Sequence, residues 1–312
     1  MISIKENEPL KNHSTFRIGG PAKYFVMAKS AEEVQEAVDW AKGKGVNFKV
    51  IGGGSNILAS DDGFDGLIIK LLGTAVEIKD DHVECFAGAP LGKVMNDSVS
   101  HDLLGLEWAI GIPGTIGGAV HNNAGAYGGE TGQSVMNVKI VKDGKISELS
   151  QADCNFGYRT SRFKTDDNKD VILSVMLKLR KATDEEVAAA KEKMAQIMNE
   201  RKGKFYGLSA GSTFQNIILQ PAEMKEFKNK FPEFPDKFVE YNKIPAAWLI
   251  EQAELKGREV GGAKVSEDHA GIVINTGAAT AKDIIMLISI IKQKVRMKYN
   301  MQLMEEIEYI GF

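Results

Sequence analysis

The sequence predicts an α+β protein assembled from successive units, and three observations carry that prediction. One capped helical stretch lies among short apolar runs over the first 70 or so residues. Residues 75–180 are then dominated by strand-like runs. A glycine-dense stretch, GLEWAIGIPGTIGGAVHNNAGAYGGE at 105–130, lies in the middle of that layer. At 312 residues the chain is long enough for two or three domains. Its 43% hydrophobic and 26% charged residues are ordinary for a soluble globular protein.

In order along the chain, 24–28 (YFVMA) reads as an apolar strand. Ser30 and Glu33 then form a capping box, and Ala31, Val34, Ala37, Val38 and Ala41 mark one helical face that Gly45 ends. Strands at 48–51 and 67–71 complete a β-α-β-β unit. Next come strands at 76–78 and 83–87, and a helix at about 91–103. A hairpin over 137–149 turns at Asp143-Gly144, and a further strand spans 171–179. Thr183 with Glu186 opens a second capped helix, running to about Asn199. A lysine- and phenylalanine-rich stretch at 202–240 leads to a helix at about 246–255, a strand at 271–275 and a helix capped by Thr280. The tail, 302–311, alternates like a strand and is expected to rejoin the central layer. No internal repeat or low-complexity tract interrupts the pattern.

Eight of the 26 residues at 105–130 are glycine, and Glu107 and Glu130 are the only formal charges. So many glycines are expected to leave backbone N–H groups uncovered and to admit a ligand to the main chain. Amides arranged in succession hold anionic oxygens without a lysine. A second cluster, GGGSN at 52–56, follows an apolar run. It is neither a P-loop nor a dinucleotide fingerprint opening a helix. Two such loops suit an extended dinucleotide, although glycine also marks bulges and tight bends in a purely structural layer.

Several classes are excluded. A net charge of −3 gives no basic footprint for nucleic acid and no polybasic membrane surface. The N-terminal MISIKENEPLK is too charged for a signal-peptide core, and the longest apolar run, 284–291, is too short for a membrane span. Cys85 and Cys154 are too far apart for a C-x-x-C motif, and the five histidines have no metal spacing. No metal is expected, and a cytoplasmic location is.

Three polar residues stand out. Arg159 lies in FGYRTSRFK (156–164), Ser212 in SAGSTFQN (209–216) and Glu306 between Leu303 and Ile307. Each also has an ordinary reading, as an exposed basic loop, a loop serine and a solvated strand edge.

These segments resemble the UDP-N-acetylenolpyruvoylglucosamine reductases, flavoenzymes of the second committed step of bacterial cell-wall precursor synthesis. The resemblance is carried by NHSTFRIGGPA (12–22), IGGGSNIL (51–58), the 105–130 run, FGYRTSRFK, SAGSTFQN, and AAWLIEQAELKGREVGGAKVSEDHAGIVINTGAATAKDI from residue 246, in the family's order. It implies a three-domain α+β architecture with a vanillyl-alcohol-oxidase-type FAD-binding fold. Residues 1–72 and 73–200, the latter joined by the C-terminal strand within 296–312, would be FAD-binding subdomains, and 201–295 the substrate-binding domain. The short link between 180 and 209 matches the form of the family that lacks an extra tyrosine-bearing loop.

The resemblance further implies non-covalent FAD, NADPH as electron donor, and reduction of UDP-N-acetylglucosamine enolpyruvate to UDP-N-acetylmuramate for peptidoglycan synthesis, hence for cell shape and division. The partners would be small molecules, with no nucleic acid or membrane. Hydride passes from flavin N5 to the vinylic carbon. Arg159 and Glu306 carry over as stabilisers of the resulting enediolate, and Ser212 as proton donor. The cofactor would be held by Gly52, Gly53, Gly54, Ser55 and Asn56 of one loop. The other would contribute Gly111, Ile112, Pro113, Gly114, Thr115, Gly117, Gly118, Ala119, Asn123, Gly125 and Ala126. Tyr158, Asn216, Lys256 and His269 match substrate-binding positions. The chain departs from the family in carrying Glu308 where an arginine is usual and in lacking Gln-Pro before Ser212. Two rival readings are a flavin oxidase of the same cofactor fold, for which His121 is the candidate covalent anchor, and a non-catalytic nucleotide-sugar sensor.

Overall fold

The structure, a computed structural model, describes residues 2–142, 144–165, 170–201 and 207–312. These gather into two compact units. Segments 2–8, 21–54 and 64–201 form the first, and 9–20, 55–63 and 207–312 form the second.

In the first unit, Pro21–Ala28 and Phe48–Ile51 both pair in parallel with Phe64–Leu71, and Lys5–Pro9 adds a fourth strand beside Pro21–Ala28. The helix Ala31–Lys44 crosses over from Pro21–Ala28 to Phe48–Ile51, the two strands that flank Phe64–Leu71. Ser30 Oγ accepts the Glu33 amide at 3.3 Å. Gly45 ends the helix at φ +67°, as the stop signal implied. The apolar stripe of Val34, Ala37, Val38 and Ala41 is buried, and Trp40 packs edge-on to Tyr24 with ring centroids 5.0 Å apart.

The rest of the first unit is built on a five-stranded antiparallel sheet. Its order is Lys145–Ser150, Val135–Lys142, Val171–Lys178, His82–Phe86 and Val76–Lys79. Lys142 pairs with Lys145, so the hairpin turns over two residues, with Gly144 at φ +79°. Asp143 of that turn lies outside the described residues. One core joins this sheet to the parallel one, through Ile69, Val83, Ile140 and Val175 among others. Burial there pushes the Cys85 thiol up to about 12, with the Glu84 carboxylate adding to the shift. Burial likewise pushes Cys154 up to about 11. Both are free, buried and protonated at neutral pH.

The second unit centres on the helix Ala281–Tyr299. Thr280 and Asp283 cap it reciprocally, at 3.1 and 2.9 Å, and Ile284, Leu287, Ile288, Ile291 and Val295 face a core with Phe16, Leu58, Phe214 and Leu249. Glu259–Val260, Ala263–Val265 and Val273–Asn275 form a small antiparallel sheet. The helix Pro221–Lys230 is an element the sequence reading passed over, although Gln220, Pro221 and Glu223 spell its start.

The tail differs from its expectation. Residues 296–299 still belong to the long helix, and only Glu308–Ile310 is a strand. It pairs in parallel with Ile57–Ala59 of the second unit, not with the five-stranded sheet. The cause is burial, because Leu303, Ile307 and Ile310 are covered and the first two belong to the second core.

Leu287→Ala is expected to cost about 2–5 kcal/mol by leaving a cavity against that helix. The midpoint of urea unfolding should fall with little change in slope. Met286→Ala, at a side chain 57% exposed on the same helix, should stay within about 0.5 kcal/mol of the parent.

Candidate active site

The two glycine loops meet in the first unit. A β-carbon on Gly53 would lie 3.0 Å from Gly114 Cα, and one on Gly52 would lie 2.3 Å from Thr115 Oγ1. The turn after Phe48–Ile51 therefore lies against residues 114–115 with no room for a side chain between them. Among the described residues, the amides of Gly52, Gly53, Gly111, Gly114 and Thr115 donate to no backbone carbonyl. Pro113 has no amide to offer. Gly111 and Gly114 take φ +71° and +117°, backbone angles that favour glycine.

The expectation of uncovered amides does not hold further along the run. Residues Ile116–Asn122 form a short helix capped by Thr115, whose Oγ1 accepts the Gly118 amide at 3.2 Å. The amides of Ile116 and Gly117 donate to Ala89 O and Ala87 O, each at 2.9 Å, and Ala119 donates to Thr115 O. The family resemblance marks Thr115 only as a cofactor-binding residue, and the surrounding glycines hide the helix that it caps. A β-carbon on Gly117 would press on Ala87 at 2.8 Å, whereas one on Gly118 meets only Thr115 Oγ1 at 3.5 Å. Gly117 is thus required by packing and Gly118 is not. Ile112 N closes a turn onto Ala109 O. Gly125 and Ala126 pair with Gly129 and Glu130.

The Arg159 segment is fastened to the end of this short helix. Gly157 and Thr160 exchange backbone hydrogen bonds at 3.0 and 3.2 Å, which closes a tight turn with Tyr158 and Arg159 at its tip. Arg159 sits at φ +55°, a left-handed angle that a non-glycine residue holds only when its surroundings impose it. Its Nη2 donates to Gly125 O at 2.6 Å, and its guanidinium carbon lies 5.2 Å from the centre of the Tyr158 ring. Ser161 Oγ donates to His121 O at 2.7 Å, Lys164 Nζ to Asn122 Oδ1 at 2.9 Å, and Asn123 Nδ2 to Gly157 O at 2.9 Å. Ser161 and Lys164 lie within FGYRTSRFK, but nothing in that motif marks them as fasteners. The Asn123 side chain, expected at a cofactor, is fully buried and engaged within the protein.

In the second unit Ser212 and Glu306 lie on adjoining segments. The Glu306 amide donates to Thr213 O and the Gln215 amide to Met304 O, each at 2.9 Å, and Phe214 pairs antiparallel with Glu305. Ser212 is exposed and Glu306 half-buried. Thr213 is fully buried; its amide donates to Gly271 O at 2.8 Å and its Oγ1 accepts the Val273 amide at 3.1 Å. His269 joins the same neighbourhood, with Nδ1 accepting the Gly271 amide at 3.2 Å.

The boundary between units falls inside GGGSN, since Gly54 belongs to the first and Ser55 and Asn56 to the second. Asn56 Nδ2 donates to Glu306 O at 3.1 Å, and its own carbonyl accepts the Glu308 amide at 2.9 Å. The first glycine loop therefore continues directly into the backbone that fixes Glu306. Asn216 Oδ1 accepts the Ala246 amide at 3.1 Å, at the start of the helix Ala246–Gln252. Lys256 pairs with Glu251 at 2.7 Å.

Comparison with known proteins adds to this geometry. Residues 201–310 match the model of the UDP-N-acetylenolpyruvoylglucosamine reductase C-terminal domain, and residues 22–150 match an FAD binding domain. The chain is 36% identical to the UDP-N-acetylenolpyruvoylglucosamine reductase of Clostridium tetani, over 99% of this chain and 92% of that one. The chain belongs to this reductase family. The Bacillus pumilus member is 34% identical over 99% of this chain and 94% of its own length. The crystal structure of the Thermus caldophilus reductase superposes with a TM-score of 0.76 at 28% identity, covering 99% of both chains. The fold is α+β, with the vanillyl-alcohol-oxidase type of FAD-binding domain. The close-packed glycine loops, with amides that no backbone carbonyl takes, fit the pyrophosphate of such a cofactor.

Gly117→Ala is expected to lower the melting temperature by several degrees, because the new methyl meets the Ala87 backbone. Gly118→Ala should leave it unchanged or raise it, since alanine favours the helix by about 1 kcal/mol. Thermal unfolding of the two ligand-free variants checks the contrast.

Proposed function

We propose that Arg159, Ser212 and Glu306 carry the chemistry of this family's reaction in this chain. The chain is an FAD-containing, NADPH-dependent oxidoreductase that reduces UDP-N-acetylglucosamine enolpyruvate to UDP-N-acetylmuramate in peptidoglycan precursor synthesis. When bound, FAD supplies two-electron transfer between NADPH and the terminal vinylic carbon of the enolpyruvyl ether. Residues 1–72 and 73–200 make up the FAD-binding part, and 201–295 the part that binds the sugar nucleotide. The enzyme works in the cytoplasm on small molecules, and among the described residues no helix is long and apolar enough to cross a membrane.

The amides of Gly52, Gly53, Gly111, Gly114 and Thr115 hold the cofactor's diphosphate oxygens, and Gly118 leaves space beside them. Arg159 meets the substrate carboxylate. Addition of hydride to the vinylic carbon puts negative charge on the neighbouring carbon and, by delocalisation, on that carboxylate. A guanidinium already fixed in place stabilises charge that grows in the transition state, because no solvent reorganisation is then needed. Glu306 assists at the same group. Ser212 gives its proton to the carbanionic carbon; a hydroxyl is a weak acid, but a strongly basic carbon held against it makes the transfer feasible. Tyr158, Asn216, Lys256 and His269 hold the sugar nucleotide, and Lys256 exchanges Glu251 for a phosphate when it does so. The observation that supports this reading most directly is the 2.9 Å bond from the Glu306 amide to Thr213 O, which joins the segments bearing the proton donor and the glutamate.

Ser212→Ala should leave flavin reduction by NADPH near normal and slow reoxidation by the enolpyruvyl sugar by about 10²–10⁴-fold. Equal loss in both half-reactions, followed by stopped-flow absorbance, would remove the proton-donor role. Gly118→Val should yield folded protein with little bound flavin. A fully flavinylated variant argues against backbone approach at that position.

A further inference from the structure

A guanidinium that must meet a carboxylate in one orientation needs a fixed backbone beneath it. In this chain the turn that carries Arg159 is a two-residue tip closed by Gly157 and Thr160, with Arg159 in a left-handed conformation. Its downstream side is tied to the helix Ile116–Asn122 by Ser161 and Lys164. On the upstream side, Gly157 O accepts from Asn123 Nδ2 at 2.9 Å as well as from the Thr160 amide.

We infer that Asn123 is a positioning residue for Arg159, acting through Gly157. This rests on the reading of Arg159 given above. Asn123 caps the helix Ile116–Asn122 at φ +44°, an angle that asparagine tolerates better than most residues. Asn123 is 0% exposed, so its side-chain amide is bonded within the protein and not to solvent. Oδ1 accepts the Gly132 amide at 2.8 Å. That donor fixes which way the side-chain amide points and leaves Nδ2 facing Gly157 O. One buried side chain thus spans the end of the glycine-rich run, the 130–133 turn and the base of the Arg159 turn. Gly125, whose carbonyl takes the Arg159 guanidinium at 2.6 Å, follows two residues later in the same run. The base and the tip of the turn are therefore referred to one short stretch of backbone.

The test is a double-mutant cycle on the FAD-loaded enzyme, reduced with NADPH and mixed with the enolpyruvyl UDP-sugar. Reoxidation is read per bound flavin in the parent, Asn123→Gly, Arg159→Ala and the double variant, with sugar dissociation constants alongside. Glycine keeps the left-handed backbone and removes both side-chain bonds. Asn123→Gly should slow reoxidation by about 10- to 100-fold in the parent, the range expected for a reacting group displaced by about an ångström. Its effect in the Arg159→Ala background should be under about threefold, and the sugar's affinity should move less than the rate. Equal losses in both backgrounds would overturn the inference, because the residue would then act on the fold and not through Arg159. An Arg159→Ala enzyme that reoxidises normally would instead remove the role of Arg159 itself. If Asn123→Gly loses flavin, the cycle is repeated with Asn123→Asp, which keeps the acceptor for Gly132 and loses the donor to Gly157; the same two outcomes decide it.

Discussion

A β-carbon on Gly52 would lie 2.3 Å from Thr115 Oγ1, so the turn at 52–53 can rest on residues 114–115 only while it carries no side chain. Much of the first unit's functional geometry follows from that contact. Thr115 is at once the neighbour of Gly52 and the cap of the helix Ile116–Asn122. The far end of this helix, His121 to Asn123, holds the segment bearing Arg159. The glycine loop and the turn that carries Arg159 are thereby separated by two turns of helix. Rigid backbone of this kind is what electrostatic preorganisation requires.

The second unit solves a similar problem with extended chain. Thr213 has no exposed surface, and its amide, carbonyl and hydroxyl are all engaged, to Gly271, Glu306 and Val273. Ser212 next to it stays exposed. The role proposed for Ser212 requires its hydroxyl to protonate a carbon on one face, and the buried neighbour restrains the backbone beneath it. Asn56 braces Glu306 from the other side through its carbonyl, directly after the glycine loop.

Local signals in the sequence were read well because their physics is local. Ser30 with Gly45, Thr280 with Asp283, and the two-residue turn before Lys145 all appear where their caps and spacing put them. The helix Ile116–Asn122 is not legible because three glycines in the five residues 114–118 lower helix propensity, while tertiary bonds to the carbonyls of Ala89 and Ala87 hold its first turn. Alternation gives the tail its faces but not its neighbour, so its pairing with Ile57–Ala59 is not legible in the sequence. At the site, the glycine loops and the motif around Arg159 stood out by composition. The side chains that fasten them did not, since a buried asparagine and a loop serine look ordinary until their partners, some 34 to 40 residues away, are known.

One bound flavin takes electrons from NADPH and gives them to an enolpyruvyl sugar nucleotide. An anaerobic absorbance experiment in two steps tests it most directly. NADPH added to the FAD-loaded protein should bleach the flavin, and the enolpyruvyl UDP-sugar added next should restore the oxidised spectrum with formation of UDP-N-acetylmuramate. Bleaching without recovery would contradict the assigned acceptor, and a protein that binds no flavin even with FAD in excess would contradict the account of both glycine loops.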